Sequence, residues 1–382
     1  MHSFMIVAGA LAVVTWLYLL LARGRFWQVQ RLGDEVRAPT KTGFIAVIIP
    51  ARNEGDVIGR SISSLLQQSS ADSIHIFVID DNSTDRTVAA AREAAASNAR
   101  SDALTIISGK ALPPAWTGKV WAVQQGIEQA LRLQPKFLLL TDADIEHSAE
   151  NVATLAGIAE HGRYDLASFM VKLHCHSAAE KLLIPAFVFF FFMLYPPEWV
   201  RDPWRNTAGA AGGCMLIRPE ALARVGGMAA IRSEIIDDCA LAAAVNRVGG
   251  KVWLGLTPDT RSLRAYESFA ATERMIARTA FNQLHHSAWL LIGSLAGLAL
   301  TFLLPVALLV GRLWMVGATP CLLMLVAYLP MVRFYALNPL WAPTLPFAAA
   351  FYMWATVHSA IKYWTGRGGE WKGRAQDAMS RG

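Results

Sequence analysis

The sequence is poor in cysteine, and its cysteines form no recognisable framework. There are four among 382 residues. None belongs to a C-x-x-C pair, and no group of histidines and cysteines has the spacing of a zinc site. The set comprises Cys175, Cys214, Cys239 and Cys321. We interpret these residues as reduced thiols buried in a cytosolic domain.

Two signatures of nucleotide binding are also missing. No apolar run is followed by G-x-G-x-x-G or by a P-loop. The glycine-rich segment at 209–213 looks similar, but it precedes an apolar, strand-like run at 214–217 rather than a helix. Basic residues interleaved with aromatic residues, as on nucleic-acid-binding surfaces, are absent as well. These absences argue against a dinucleotide-binding domain and against nucleic acid as a partner.

Charged residues are scarce, whereas apolar residues are abundant. The charged fraction is 17%, the apolar fraction is 54% and the mean hydropathy is +0.33. Soluble domains are about 45–50% apolar. The surplus lies near the N-terminus, at 182–199 and beyond residue 286, which leaves 41–278 with the character of a soluble domain.

The first apolar segment predicts a transmembrane anchor. Residues 4–22 are apolar almost throughout, and a spanning helix needs about 20 residues. A cleaved signal peptide would carry positive charge before the apolar run, whereas Arg23, Arg25 and Arg31 follow it. This placement favours contact with an anionic membrane surface, as does the net charge of +6. We predict a retained anchor over residues 1–24, with the chain cytoplasmic from residue 23.

The C-terminal third holds three more candidate spans, at 287–311, 313–332 and 344–364. Alternating spans from a cytoplasmic domain would leave the C-terminus outside. The tail, however, carries Lys362, Arg367, Lys372 and Arg374, which favour the inside. One of the three segments can instead be re-entrant or lie flat. We predict a multi-pass protein of the cytoplasmic (inner) membrane, with two or three membrane helices over 286–366 and a basic tail over 367–382.

A further apolar run, at 182–197, is rich in phenylalanine and short for a span. Two interpretations remain open for it. It forms either a buried core helix or an interfacial or re-entrant element that admits a lipid.

The segment between these apolar regions predicts an α/β fold. Short apolar runs at 45–49, 76–79, 104–107 and 137–140 alternate with helical patterns. Such alternation predicts a mostly parallel sheet with helices on both faces, which binds ligands beyond the carboxyl ends of its strands. The acids that follow these runs are Glu54, Asp80, Asp81, Asp142 and Asp144. We expect them to converge on one crevice.

Three acidic pairs are candidates for chemistry. Asp142 and Asp144 could hold a divalent cation whose shell water and phosphate complete, or they form a solvated turn. Asp80 or Asp81 could accept hydrogen bonds from a base or a ribose, or form an Asx turn and cap the next helix through Asn82 or Ser83. Asp237 and Asp238 open a predicted helix at 235–248. One of this last pair can act as a general base while the other caps the helix.

Basic candidates are fewer. Lys119 begins a predicted helix, where a phosphate would be favoured, although a solvated lysine is the alternative. Arg274 and Arg278 share one helix face and either clamp phosphate or contact lipid headgroups. His147 is interpreted as a metal ligand or, more simply, as a surface histidine.

Taken as a set, these motifs resemble the family 2 glycosyltransferases, which have a GT-A fold. The resemblance covers residues 40–285 and rests on the segments at 48–54, 78–85 and 142–144 and on Asp237-Asp238. A closer likeness, carried by 116–122, 185–190, 211–215 and 236–242, is to the hopene-associated (HpnB-like) glycosyltransferases. It implies a UDP-sugar donor, a membrane lipid acceptor related to hopanoids, and Mg²⁺ or Mn²⁺ as cofactor.

The resemblance also implies roles for individual residues. Asp238 would be the catalytic base of an inverting sugar transfer, and Asp144 and Asp142 would bind the metal. The nucleotide-sugar would contact Pro50, Ala51, Asn53, Glu54, Asp80, Asp81, Lys119, Asp142 and Arg278. The acceptor side would include Phe187, Tyr195, Gly213 and Asp237.

One family motif is altered. Membrane-bound relatives carry Q/R-x-x-R-W, but Met275 and Thr279 stand where Gln/Arg and Trp are expected around Arg278. This departure favours transfer of a single sugar over a processive polysaccharide synthase. A catalytically silent lipid-binding scaffold of the same fold is the alternative outside the enzymes, and the intact acids argue against it.

Overall fold

The computed structural model describes residues 2–29, 42–70, 73–366, 370–371 and 374–375. Arg31 and most of the predicted basic tail lie outside these residues. The chain divides into two compact units. The helical unit comprises Met1–Arg31, Cys175–Glu198 and Ala265–Gly369, and the sheet unit comprises Leu32–His174, Trp199–Arg264 and Glu370–Gly382.

The strands and helices follow one another along both units. The strands are β1 (Ile45–Ala51), β2 (Ile74–Asp80), β3 (Leu104–Ser108), β4 (Phe137–Leu140), β5 (Ile145–Glu146), β6 (Leu166–Lys172), β7 (Met215–Ile217), β8 (Val252–Ser262), β9 (Glu370–Trp371) and β10 (Arg374–Ala375). The helices are α1 (His2–Leu21), α2 (Ile58–Leu66), α3 (Thr87–Ser97), α4 (Gly118–Ala130), α5 (Asn151–His161), α6 (Ala178–Leu194), α7 (Pro197–Arg201), α8 (Pro219–Val225), α9 (Asp237–Arg247), α10 (Phe269–Ala277), α11 (Ala288–Leu298), α12 (Leu304–Val310), α13 (Trp314–Phe334) and α14 (Leu345–Trp364).

The sheet unit is built on a mixed, mainly parallel sheet in the order β3-β2-β1-β4-β7-β6-β8-β5. Strands β3, β2, β1 and β4 run parallel, as the alternating apolar runs predict. Strand β7 is antiparallel to both β4 and β6, and the short β5 is antiparallel to β8. The predicted fold class, a GT-A-type sheet with helices, is confirmed.

Strand β1 shows why the apolar runs become central strands. All seven of its residues are buried, because helices cover both faces of a parallel sheet. Helix α4 packs closely on one face. A Cβ at Gly126 would lie 2.5 Å from Ile79 Cδ1 and 2.7 Å from Ile48 Cγ2. The helix therefore needs glycine at this point of contact.

In the helical unit, α6 lies among other apolar helices. The rings of Phe189 and Tyr328 are 5.3 Å apart, and those of Phe190 and Tyr352 are 5.1 Å apart, both edge to face. The Tyr352 hydroxyl donates to the Leu183 carbonyl at 3.1 Å. The phenylalanine-rich run is thus largely buried against α13 and α14 of its own unit.

Within the described ranges, three helical stretches are long and apolar enough to cross a membrane: Ala178–Arg201, Ala288–Val310 and Trp314–Phe334. The first comprises α6 and α7 and contains the run at 182–197, so this run, predicted to be short for a span, is part of a stretch that is long enough to cross a membrane. The predicted span at 344–364 forms α14, which is not one of the three. Helix α1 covers the predicted anchor, and its described apolar part is the shorter Met5–Leu21.

Candidate active site

Three of the strand-end acids, Glu54, Asp142 and Asp144, belong to two ion-paired clusters in the sheet unit, one around Lys119 and one around Arg264. Asp142 belongs to the first cluster, and Asp144 belongs to the second. The two clusters are therefore linked by the short D-x-D segment that follows β4. These contacts bring Glu54 and Asp144 together around Arg264 and place Asp142 at Lys119, whereas the convergence of all five acids on one crevice stays a prediction.

Lys119 is the centre of the first cluster. Its Nζ lies 3.0 Å from Oδ1 of Asp142 and 3.3 Å from each carboxylate oxygen of Asp237. The backbone N–H of Thr117 donates to the Arg232 carbonyl at 2.8 Å, which ties the start of α4 to the segment that leads into α9. Burial alone would lower the pKa of Lys119, but Asp142, Asp237 and Asp238 outweigh it and raise this pKa. The lysine is therefore a permanent cation rather than a solvated side chain.

Asp238 lies beside this cluster at the start of α9. Its Oδ2 accepts from the Gly212 N–H at 2.8 Å, and its Oδ1 accepts from the Cys239 N–H at 2.7 Å. Burial, followed by the charge of Asp237, raises the pKa of Asp238 to about 6, while Lys119 and the two N–H donors oppose the shift. A carboxylate with this pKa is ionised at neutral pH and more basic than an ordinary aspartate.

Strand β6 holds the glycine-rich segment at 209–213, which contacts Asp238. The hydroxyl of Ser168 donates to the Ala211 carbonyl at 3.1 Å and accepts from the Ala211 N–H at 2.9 Å. A Cβ at Gly212 would lie 3.2 Å from Asp238 Oδ2 and 3.3 Å from Lys119 Nζ. A side chain at Gly212 would therefore crowd both charged groups.

Arg264 is the centre of the second cluster. Its Nη2 donates to both carboxylate oxygens of Glu54 at 2.7 Å, and its Nε donates to Asp144 Oδ2 at 3.1 Å. The hydroxyl of Ser262 donates to the same Asp144 oxygen at 3.1 Å. Burial and the charge of Asp142 raise the pKa of Asp144, and Arg264 acts in the opposite direction.

The loops after β1 and β2 are bound to each other. Asn53, at φ 52, accepts from the Thr84 N–H at 2.8 Å and donates its own N–H to the Ser83 hydroxyl at 3.0 Å. Oδ1 of Asp80 accepts from the Ser83 N–H three residues on, at 3.2 Å, so this carboxylate holds the turn that follows β2. Asp81 is buried, and its backbone carbonyl accepts from Arg52 Nη1 at 2.6 Å.

Helix α3 begins later than the sequence indicates. It starts at Thr87, so capping by Asn82 or Ser83 was a wrong prediction. Asp85 holds the first turn instead, because its Oδ1 accepts from the Thr87 N–H at 2.9 Å. Pro50 and Ala51 form the end of β1, where the Ala51 carbonyl accepts from the Asp81 N–H at 2.8 Å.

His147 is buried, so its interpretation as a surface histidine was wrong. The Asn151 amide donates to Nδ1 at 3.0 Å, and Nε2 faces the Thr141 hydroxyl at 3.0 Å. Burial lowers the pKa of His147 to about 3, so the ring is neutral at physiological pH. The Thr141 hydroxyl in turn donates to the Gly213 carbonyl at 2.7 Å. This chain of hydrogen bonds joins the D-x-D segment to the glycine-rich segment.

Three predicted site residues belong to the helical unit. Arg278 follows α10, and its N–H donates to the Arg274 carbonyl at 3.2 Å. The Tyr195 hydroxyl accepts from the Gln283 amide at 2.6 Å, and Phe187 is half-buried on α6.

Several residues around the acids were not predicted, namely Ser168, Gly212, Ser262 and Arg264. The pairing of β5 with β8, which aligns Ile145 with Ser262, is what brings the last two to the D-x-D segment. Nothing local in the sequence marks that pairing, since the two strands are more than 100 residues apart.

The acids fit a cation only in part. Among the described residues, no three histidine, cysteine, aspartate or glutamate side chains are grouped closely enough to hold a metal ion unaided. Asp142 uses Oδ1 for Lys119, and Asp144 uses Oδ2 for Arg264 and Ser262. Within the described part of the chain, the other oxygen of each carboxylate has no hydrogen-bond partner. Two such oxygens suit a hard divalent cation whose other ligands come from phosphate and water.

Comparison with known proteins gives a family match for part of the chain. Residues 46–226 match the family Glycosyl transferase family 2. The 4,4'-diaponeurosporenoate glycosyltransferase of Staphylococcus haemolyticus (strain JCSC1435) is 35% identical over 118 residues, which are 31% of this chain and 28% of that protein. The chain thus matches just over a quarter of that relative's length.

A solved structure shares the fold. The mannosyltransferase PcManGT from Pyrobaculum calidifontis, in complex with GDP-Man and Mn²⁺, aligns over 94% of this chain and 99% of its own, with a TM-score of 0.55 and 16% identity. At that identity the likeness concerns the fold alone. The family match begins within β1 and includes Glu54, Asp81, Asp142 and Asp144. The sheet unit therefore has a GT-A-type fold, and the part of the chain that matches family 2 glycosyltransferases, residues 46–226, carries the D-x-D segment.

Proposed function

We propose that the protein is a metal-dependent, inverting glycosyltransferase that moves a single hexose from a UDP-sugar to a membrane lipid. The observation that carries this proposal is the arrangement of the D-x-D aspartates, Lys119 and Asp238 around one part of the sheet unit. A relationship of the acceptor to hopanoids is supported only by the sequence resemblance.

Asp238 is the proposed catalytic base. It removes the proton of the acceptor hydroxyl while the acceptor oxygen bonds to the anomeric carbon and the bond from that carbon to UDP breaks. Its pKa of about 6 keeps it ionised at neutral pH and gives it a greater affinity for the proton than an ordinary aspartate has. Gly212 and Cys239 hold both of its oxygens through backbone N–H groups, so the carboxylate has a fixed orientation.

Asp142 and Asp144 are the proposed ligands of Mg²⁺ or Mn²⁺. When bound, the cation neutralises the negative charge on the departing diphosphate. Lys119 keeps Asp142 and Asp237 in place and adds positive charge to the donor side. We assign Asp81 to the uracil or ribose, and the rest of the donor surface to Pro50, Ala51, Asn53, Glu54 and Asp80.

The lipid acceptor and membrane location are supported by the helical unit. Its three membrane-length stretches expose large apolar side chains, among them Trp289, Val310 and Met315 at 83%, 84% and 69%. Such exposure suits lipid rather than water. From the sequence resemblance we also assign Phe187, Tyr195, Gly213 and Asp237 to the acceptor and Arg278 to the donor diphosphate. The arginines after α1 support a protein of the inner membrane whose sheet unit lies on the cytoplasmic side.

The direct test uses the full chain in lipid nanodiscs. Radiolabelled UDP-sugars are incubated with membrane lipid extracts, and the labelled lipid is analysed. Asp238→Asn should lower transfer by about 10²–10⁴-fold, as expected for loss of a general base, and leave UDP binding unchanged. Asp259→Asn, at an exposed site on β8, is the matched control. Wild-type transfer by a folded Asp238→Asn variant would remove Asp238 from this role.

A further inference from the structure

Arg264 places a positive charge between the carboxylates of Glu54 and Asp144. Its guanidinium bridges Glu54 and Asp144, with donor–acceptor distances of 2.7–3.1 Å. Both carboxylates are mostly buried, with side-chain exposures of 11% and 10%. In such surroundings a carboxylate without a counter-charge is costly. The arginine therefore supplies, from within the chain, the charge that a bound metal would also supply to Asp144.

The sheet fixes the backbone position of Arg264. Strand β8 pairs with β5 through Ser262 and Ile145, and the Leu263 N–H donates to the Asp144 carbonyl at 2.7 Å. Arg264 follows directly. The backbone next to Asp144 is thus fixed, whereas the arginine side chain, at 33% exposure, has room to move.

A nucleotide diphosphate would change the charge balance. It brings additional negative charge, oxygen ligands for a metal, and phosphate oxygens to which the planar guanidinium can donate two hydrogen bonds at once. Once the diphosphate is present, the guanidinium has another partner, and Asp144 needs another cation. Metal affinity should then rise together with nucleotide binding.

We propose that Arg264 is a built-in counter-ion for Asp144 and Glu54 that keeps metal binding weak until the nucleotide diphosphate is bound. Arg264 is thus a positioning residue that couples metal affinity to the donor. The inference rests on the proposed cation site at Asp142 and Asp144.

The experiment measures Mn²⁺ binding by electron paramagnetic resonance, on the full chain in nanodiscs, with and without UDP. For the wild type we expect Mn²⁺ to bind at least tenfold more tightly with UDP. Arg264→Gln should tighten nucleotide-free Mn²⁺ binding at least tenfold and so reduce the effect of UDP. Arg261→Gln is the matched control, because Arg261 lies near the end of β8, just before Arg264, and pairs with Glu146 instead, at 2.6 Å. Its Mn²⁺ affinity should equal that of the wild type.

The outcomes separate the two proposals. If the wild type binds no Mn²⁺ even with UDP, the cation site fails and this inference fails with it. If the wild type binds Mn²⁺ with UDP but folded Arg264→Gln shows unchanged or weaker nucleotide-free binding, only the role of Arg264 is overturned. If Arg264→Gln does not fold, Arg264→Lys replaces it. A lysine cannot bridge both acids as the fork does, so nucleotide-free binding should tighten about threefold, and an unchanged value would overturn the inference.

Discussion

The backbone N–H of Gly212 donates to Oδ2 of Asp238 at 2.8 Å, and a side chain at that glycine would press on the same carboxylate. A methyl group would lie 3.2 Å from the carboxylate and 3.3 Å from Lys119 Nζ. The base and the buried cation are therefore held against one stretch of backbone. Changes at Gly212 should be felt by both.

Gly212→Ala is expected to lower kcat about tenfold or more, because even a small displacement of a catalytic group is costly. Steady-state transfer assays and the midpoint of thermal unfolding provide the measurement. Gly59→Ala is the control, since its Cβ would make only an ordinary contact at 3.6 Å with the Ala90 carbonyl. Equal kcat values in the two variants would show that Gly212 does not position Asp238.

The pH profile should report Asp238. Because the base must be ionised, kcat/KM is expected to fall tenfold per pH unit below about pH 6, the raised pKa of this carboxyl. The groups around it are Asp237 and Lys119, and the charge of Lys119 does not change over this range because its pKa is raised. A profile that stays flat down to pH 4.5 would contradict the assignment.

His147 should affect stability and its pH dependence. Its folded-state pKa of about 3 lies below the unfolded value near 6.5, so the unfolded chain binds a proton that the folded chain does not. Stability from this group is complete above pH 6.5 and is lost as the pH falls, by about 2 kcal/mol at pH 5.

His147→Gln tests this expectation. The glutamine should lower stability at pH 7 by about 1–3 kcal/mol, because buried partners such as Asn151 and Thr141 lose hydrogen bonds. The deficit relative to wild type should shrink at pH 5, as measured from unfolding midpoints followed by tryptophan fluorescence. A deficit that is the same at both pH values would indicate that His147 is not held neutral.

Removal of divalent cations should weaken UDP binding at least tenfold. The reason is that a cation held by Asp142 and Asp144 would take its remaining ligands from the phosphate oxygens of UDP. Calorimetry with and without EDTA measures the effect, and restoration by excess Mn²⁺ is the control. Asp144→Asn should reproduce the EDTA result. UDP affinity that is indifferent to EDTA would count against a metal site.

Local sequence patterns predicted the positions of several strands and helices of the sheet unit. The apolar runs at 45–49 and 137–140 became β1 and β4 with nearly the predicted bounds, because fully buried parallel strands have continuous apolar sequence. The helix starts at Gly118 and Asp237 were likewise close to their predicted positions.

The parts that were missed depend on contacts between distant segments. Arg264 binds Glu54 across 210 positions, and Ser262 reaches Asp144 only because β8 pairs with β5. The burial of His147 follows from its contacts with Thr141 and Asn151, which a histidine after a turn does not reveal. The periodicity of a sequence reports on neighbouring residues along the chain and does not reveal such pairings.

The helical unit is made of three separate stretches, and α6 is the middle one. Excision of residues 40–285 as a soluble enzyme would therefore remove Tyr328 and Tyr352 from the rings of Phe189 and Phe190. A truncated chain of that kind would expose this apolar surface to water and aggregate. Replacing the stretch at 175–198 with a short polar linker, to join the two halves that form the sheet, is the more promising route to a soluble fragment.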